Sequence, residues 1–318
     1  MIERTDKSGY DIIGDIHGHA DELESLLVKM GYTLADGCYR HSTRKVIFLG
    51  DFIDRGPNQS GVLTIVMPMV RQGAAMAVMG NHEFNALAFH TEDPSDPGTW
   101  LRLRSKKNLK QHEAFLAEYL GNDKKRDLEE ILKFFYTLPL WIELDGLRVI
   151  HAAWDPASME VIRSALDGKN LLTRDLLVEA SRKETDEYEA VEILLKGVEH
   201  ELPAGLSHTD KDGTIRTRVR PWFFEHVPET MRDIIVHPHL FDEEILSSPV
   251  SKEILRGYGE SEPPVFVGHY WMKKGENEHP ARLRDNVACL DYSVAQGGDL
   301  VAYRWSGEQI LNNENFIY

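Results

Sequence analysis

Three short blocks of this 318-residue chain gather side chains that a structural turn does not need. Gly14-Asp15-Ile16-His17-Gly18 sets a carboxylate and an imidazole close together. Gly50-Asp51-Phe52-Ile53-Asp54-Arg55-Gly56-Pro57 adds two carboxylates and a guanidinium, and Gly80-Asn81-His82-Glu83 adds an amide oxygen and a further imidazole. His151 and His269 each follow an apolar run. Mixed oxygen and nitrogen donors suit Mn, Fe or Zn, whereas Mg and Ca prefer oxygen alone. Arg55 is a planar, permanently charged donor that can hold two oxygens of an anion at once. The chemistry on offer is thus transition-metal binding beside an anion grip.

The segments between the blocks say how they are positioned. Tyr10-Asp11-Ile12-Ile13 reads as a strand ending in Gly14-Asp15, and Leu23, Leu26, Leu27 and Met30 then recur at helical spacing until Gly31. Lys45 to Leu49 runs into Gly50-Asp51, and Ala74 to Met79 into Gly80-Asn81. Strands alternating with helices imply a mainly parallel α/β sheet, whose ligands sit beyond the carboxyl ends of the strands. Residues 91–135 are charged and helix-leaning, as in a helical insertion. Trp141 to Leu144 and Leu147 to Ile150 flank the turn signal Asp145-Gly146 and deliver His151. A second, cap-like excursion spans 156–264: helical to about residue 200, with a turn at Asp210-Lys211-Asp212-Gly213, an alternating strand from Ile215 to Val219, and Trp222, Phe223 and Phe224 as anchors. Val265-Phe266-Val267-Gly268 delivers His269, and Asn286 to Leu290 and Leu300 to Trp305 supply closing strands.

In order and spacing the three blocks resemble the calcineurin-like metallophosphoesterases. Within that family they are most similar to the phosphoprotein phosphatase branch, which includes the serine/threonine phosphatases and the symmetrical diadenosine tetraphosphatases. The resemblance extends to His151-Ala152-Ala153-Trp154-Asp155-Pro156 and to Gly268-His269-Tyr270-Trp271. It implies a layered α/β sandwich with helical insertions and a small cap, forming one domain over 1–318. Carried over by motif, Asp15, His17 and Asp51 hold one divalent transition metal and Asp51, Asn81, His151 and His269 the other, with Mn the expected ion and Fe or Zn as alternatives. Many nucleases of the superfamily carry a histidine where this chain has Trp271, and the phosphatase branch does not.

The resemblance also assigns Arg55 to the phosphate and Asp54 to orienting His82. Two bridged cations would lower the pKa of a shared water and clamp the phosphoryl oxygens for in-line attack, while His82 protonates the leaving oxygen. Glu83 reads equally as a first-turn carboxylate or as a supporting hydrogen-bond partner. His19, His41, His90, His237 and His239 have no motif behind them. The family places a second phosphate-gripping arginine between His151 and His269. Arg218 and Arg220 are candidates, because Arg216, Arg218 and Arg220 would share one face of a strand.

A formal charge of −16, from 36 Lys plus Arg against 52 Asp plus Glu, disfavours nucleic acid as a partner. Cys38 and Cys289 are too few for a disulfide framework, no apolar run is long enough for a membrane span, and a cytoplasmic location is expected. The leading expectation is a phosphatase acting on phosphate monoesters, phosphoprotein or small metabolite. A dinucleoside polyphosphate hydrolase is the alternative, and an inactive interaction scaffold a third possibility. Oligomeric state is not legible.

Overall fold

The computed structural model describes residues 9–121, 124–166, 168–209, 215–221, 228–235, 238–250, 257–273 and 279–318. The turn expected at 210–213, the Trp222-Phe223-Phe224 anchor and His237 lie outside them, as does the side chain of His239. The first half contains β1 (Gly9–Ile13), α1 (Ala20–Lys29), the hairpin β2 (Thr33–Ala35) and β3 (Cys38–Arg40), β4 (Arg44–Phe48), α2 (Gln59–Arg71), β5 (Ala75–Ala77) and α3 (Asn81–His90). β1, β4 and β5 pair in parallel, with Ile13 beside Phe48 and Phe48 beside Ala77. Their carboxyl ends are therefore level, and the three polar blocks leave the sheet along one edge.

The insertion forms α4 (Lys106–Gln111), α5 (Glu113–Tyr119) and α6 (Lys125–Phe135). The hairpin β6 (Trp141–Leu144) and β7 (Leu147–Ile150) follows, then α7 (Pro156–Ala165), α8 (Arg174–Glu179) and α9 (Asp186–Lys196). Where one alternating strand was expected, Thr217 instead separates β10 (Ile215–Arg216), paired with β9 (His208–Thr209), from β11 (Arg218–Val219), paired with β8 (His200–Glu201). The backbone amide of Leu202 donates to the Thr217 carbonyl, so the bend has its own hydrogen bond. With α10 (Glu243–Leu246), this region gathers a small core of its own around Leu202, Val219, Met231, Ile234 and Ile245.

The chain closes through β12 (Val265–Val267), β13 (Val287–Cys289), β14 (Asp291–Tyr292), β15 (Asp299–Leu300), β16 (Ala302–Trp305) and β17 (Phe316–Ile317). One sheet has the order β17-β16-β1-β4-β5 and the other β13-β12-β7-β6. Tyr10, Ile12, Ile47 and Leu49 of the first pack against Leu147, Val149, Phe266 and Ala288 of the second. Alternate residues Ile13, Val46 and Phe48 turn the other way into the helices, so both faces are covered, as parallel strands require. Cys38 and Cys289 are free and buried. Among the described residues no helix is long and apolar enough to cross a membrane.

Central strands of such a sheet should be apolar, yet β1 buries Asp11 completely. Asp11 Oδ1 accepts from Arg44 Nε at 2.9 Å and Arg304 Nε at 3.0 Å, and Oδ2 accepts from the Tyr32 hydroxyl at 3.0 Å. Arg44 also donates to the carbonyls of Tyr10 and Trp305. One carboxylate thereby ties β1 to its neighbours β4 and β16. Asp11→Ala is expected to cost about 3–5 kcal/mol in urea unfolding, because it leaves a buried guanidinium unpaired. A loss below about 1 kcal/mol would show that water replaces the carboxylate.

Candidate metal centre

Apart from the loop of His151, which follows Ile150 directly, each donor loop begins at a glycine that another segment approaches closely. A Cβ on Gly80 would lie 2.3 Å from Asp51 Oδ1, and one on Gly268 would lie 2.1 Å from Asp15 Oδ1. Real side chains do not tolerate such distances, which explains why these strands end in glycine followed by a polar residue. Three of the donors and three residues beside them are strained. His17, Asp51, Asp54, Arg55, His269 and Trp271 all have positive φ, and they are six of the nine such non-glycine residues among those described. Each left-handed residue costs of order 1–3 kcal/mol, so the surroundings must hold it.

Asp51 is the common point of these surroundings. Its carboxylate lies 3.6 Å from His17 Nε2, 3.9 Å from His82 Nε2 and 3.5 Å from His151 Nε2, and it accepts from the His82 backbone amide at 2.9 Å. Its carbonyl accepts from the amides of Ile16 and His17. Glu83 takes the amides of Asp51 and Phe52 at 2.8 Å and of Gly80 at 3.0 Å, so its role is to join the second block to the third.

His17 Nδ1 donates to the Ile53 carbonyl and His151 Nδ1 to the Leu49 carbonyl, orienting both rings with Nε2 toward Asp51. Asn81 Oδ1 lies 3.1 Å from His151 Nε2 and 2.9 Å from His269 Nδ1. Asp15 Oδ2 accepts from the His269 amide at 3.1 Å, whereas among the described residues its buried Oδ1 has no hydrogen-bond partner.

Ligand atoms of His17, Asp51 and His82 lie within 4.8 Å of one another, as do those of Asp51, His151 and His269. Two clusters sharing one carboxylate, with an orphaned carboxylate oxygen beside them, fit a pair of divalent cations. Burial and the Arg55 and His82 charges hold His17 well below the usual histidine range, and burial, Arg220 and His151 do the same for His269. Both rings therefore keep the lone pair a metal needs. Burial raises Asp15 well above the carboxylate range, with Asp291 adding to the effect. Burial would also raise Asp51, but His151, His82 and His17 outweigh it and hold Asp51 well below that range.

Beside this cluster Asp54 Oδ2 accepts from His82 Nδ1 at 2.6 Å, and Arg55 Nη2 lies 3.5 Å from His82 Nε2. The two candidate arginines separate: Arg220 Nη1 sits 3.3 Å from His269 Nε2, whereas Arg218 is exposed and held by Glu201 at 2.9 Å. A cleft of about 570 Å³ opens over Asn81, His82 and His269 and is lined by Arg216 and Arg220 but not by Arg218. Residues of 91–135 and 156–264 also line it, among them Arg102, Lys107, His112, Lys183 and Lys196.

Sequence reasoning missed these, since nothing in their spacing distinguishes them from a solvated helix face. It also missed Asp291, which binds the amides of Trp271 at 2.7 Å and Ser293 at 3.0 Å. The signal was present there, because Val287-Ala288-Cys289-Leu290-Asp291 repeats the pattern of an apolar strand running into aspartate.

A family model for calcineurin-like phosphoesterases matches residues 10–259. The asymmetrical bis(5'-nucleosyl)-tetraphosphatase PrpE of Oceanobacillus iheyensis is 33% identical over 148 residues, 45% of this chain and 54% of that protein. The protein of the same name from Bacillus subtilis (strain 168) is 34% identical over 146 residues, 45% of this chain and 57% of that one. The chain spans about half the length of these curated relatives. A solved protein serine/threonine phosphatase from Saccharomyces cerevisiae has the same fold, with a TM-score of 0.50 at 14% identity over 98% of this chain and 79% of that one.

The buried charges predict how the metal-free protein responds to pH. Burial and Asp51 push Glu83 from its ordinary 4.5 up to about 7. At this group the folded state binds more protons than the unfolded state between these values, so the Glu83 contribution to stability falls as pH rises from about 4.5 to about 7, while the depressed His17 and His269 contribute in the opposite sense below the usual histidine range. Burial opposes ionisation of Asp54 too, but hydrogen bonds from His112 and His82 bring it to about 2, so its contribution is lost only below about pH 4. In urea titrations of chelated protein, the stability of wild type relative to Glu83→Gln should fall on the order of 1–3 kcal/mol between pH 5 and 7. An unchanged slope in Glu83→Gln would assign it to other groups.

Proposed function

The chain belongs to the calcineurin-like phosphoesterase family, and from that premise we propose that it is a metal-dependent hydrolase of dinucleoside polyphosphates. The observation that carries this reading is the cleft lining. Arg55, Arg102, Lys107, Lys183, Lys196, Arg216 and Arg220 face Asp54, Glu192 and Glu199, a local excess of positive charge in a chain of net charge −16. Arg102 is held by the amide oxygens of Asn85 at 2.8 Å and Gln111 at 3.0 Å, which fix it without neutralising it. One phosphate does not need so long a basic wall; a chain of several does. The names of the two tetraphosphatase relatives support the same substrate class. The monoester reading, which led on sequence alone, therefore takes second place.

In this reading Asp15, His17 and Asp51 hold one cation and Asp51, Asn81, His151 and His269 the other. Bound cations would supply an acidified water and neutralise the phosphoryl oxygens. Arg55 donates to the scissile phosphate, while His82 gives its Nε2 proton to the leaving oxygen. Asp54 fixes the ring through Nδ1. In the same reading Arg220, whose Nη1 lies 3.3 Å from His269 Nε2, grips phosphate, and Arg218 is an exposed ion-pair residue.

Purified Mn-loaded protein should cleave diadenosine tetraphosphate with kcat/KM on the order of 10²-fold above p-nitrophenyl phosphate, because remote phosphates contribute binding energy to the reacting centre. Lys107→Ala should cost about 10-fold or more with the tetraphosphate and about 2-fold or less with the monoester, the scale of one charge-assisted contact. Equal losses on both substrates, or preference for the monoester, would return the reading to a phosphomonoesterase. His82→Asn should keep its metals and lower kcat on the order of 10²–10⁴-fold, with smaller losses for better leaving groups. A uniform loss across aryl and alkyl esters would remove His82 from the general-acid role.

A further inference from the structure

Asp54 has two buried imidazole partners. Its Oδ2 accepts from His82 Nδ1 at 2.6 Å, and its Oδ1 accepts from His112 Nδ1 at 2.7 Å. His112 comes from the helical insertion, at the junction where α4 ends and α5 begins, and it is buried. Its ring stacks on Phe115 with centroids 4.8 Å apart and 21° between planes, and it meets Phe89 at 5.2 Å and His90 at 5.6 Å. Among the described residues its buried Nε2 has no hydrogen-bond partner, which leaves Asp54 as the polar group that the ring addresses.

We propose that His112 is a positioning residue for the reaction, holding the Asp54 carboxylate in the plane that keeps Oδ2 on His82 Nδ1. A carboxylate bound through one oxygen can rotate about its Cβ–Cγ bond, carrying the acceptor away from His82. A second donor on the other oxygen removes that freedom, and the stack on Phe115 in turn removes it from His112. The insertion thus sets the orientation of the acid from the lining of the cleft. This inference rests on His82 being the acid in the proposed function.

The test compares His112→Phe, which keeps the stacking ring and loses the donor, with His112→Asn, whose Nδ2 can occupy the place of Nδ1. Metal content and KM should be unchanged in both. His112→Phe should lower kcat about 10–100-fold for a phenyl ester and less for the p-nitrophenyl ester, the size typical of losing an orienting partner. His112→Asn should recover most of this loss. In a His82→Asn background His112→Phe should cost nothing more, since both act on one proton transfer.

A loss equal for both leaving groups, a loss that multiplies with that of His82→Asn, or no loss would each overturn the proposal and leave His112 as a packing residue. Should His112→Phe fail to fold, His112→Leu answers the same question. If His82→Asn itself lacks leaving-group dependence, the acid assignment fails; if it shows that dependence and the donorless His112 variant does not, only this inference fails.

Discussion

Asp51 is where the backbone and the charge of the site meet. Its carbonyl fastens the first block through the Ile16 and His17 amides, its own amide reaches the third block through Glu83, and its carboxylate faces His17, His82 and His151. With φ of 49° the residue is strained, so these contacts hold it in place as much as it holds them. A carboxylate this deeply buried is costly without opposite charge. The level ends of β1, β4 and β5, the glycines that let the loops touch and the turned imidazoles bring ring nitrogens and a backbone donor around that one group.

What could be read in the sequence follows from where each residue leaves a strand. Asp15, Asp51, Asn81, His151 and His269 come directly after apolar runs, and a strand end fixes a side chain to within a few ångströms of its neighbours' ends. The hairpin about Asp145-Gly146 was equally legible, because its turn signal and alternation are local. His112 was not, since its partner Asp54 lies in another loop and only tertiary packing brings the two together. The same holds for the three arginines from Arg216 to Arg220. Alternation put them on one face, but the bend at Thr217 sets Arg216 in one ladder and Arg218 in another, while Arg220 lies just beyond the second ladder; Arg218 pairs with Glu201, and Arg220 reaches His269.

Net charge taken alone points away from an anionic ligand, and the cleft reverses that sign locally. Acids such as Asp21, Glu22, Glu243 and Glu244 lie on exposed helix faces, where water and salt screen them. The basic residues lie in a concave wall, where the field is focused and less screened. Composition thus bounds the outer surface of this chain and says little about its cleft.

Strand β1 has consequences for how the chain is made. One of its two neighbours, β4, is synthesised soon after it. The other, β16, pairs Tyr303 with Ile12 and so is made much later. At ribosomal speeds roughly 15–60 s separate the two. Throughout that interval one edge of an apolar strand is exposed, and Asp11 lacks Arg304. An open edge of this kind pairs readily with another chain. Nascent copies on one messenger are therefore most exposed to sticking together before β16 emerges, a hazard set by the order of the strands and independent of the stability of the finished sheet.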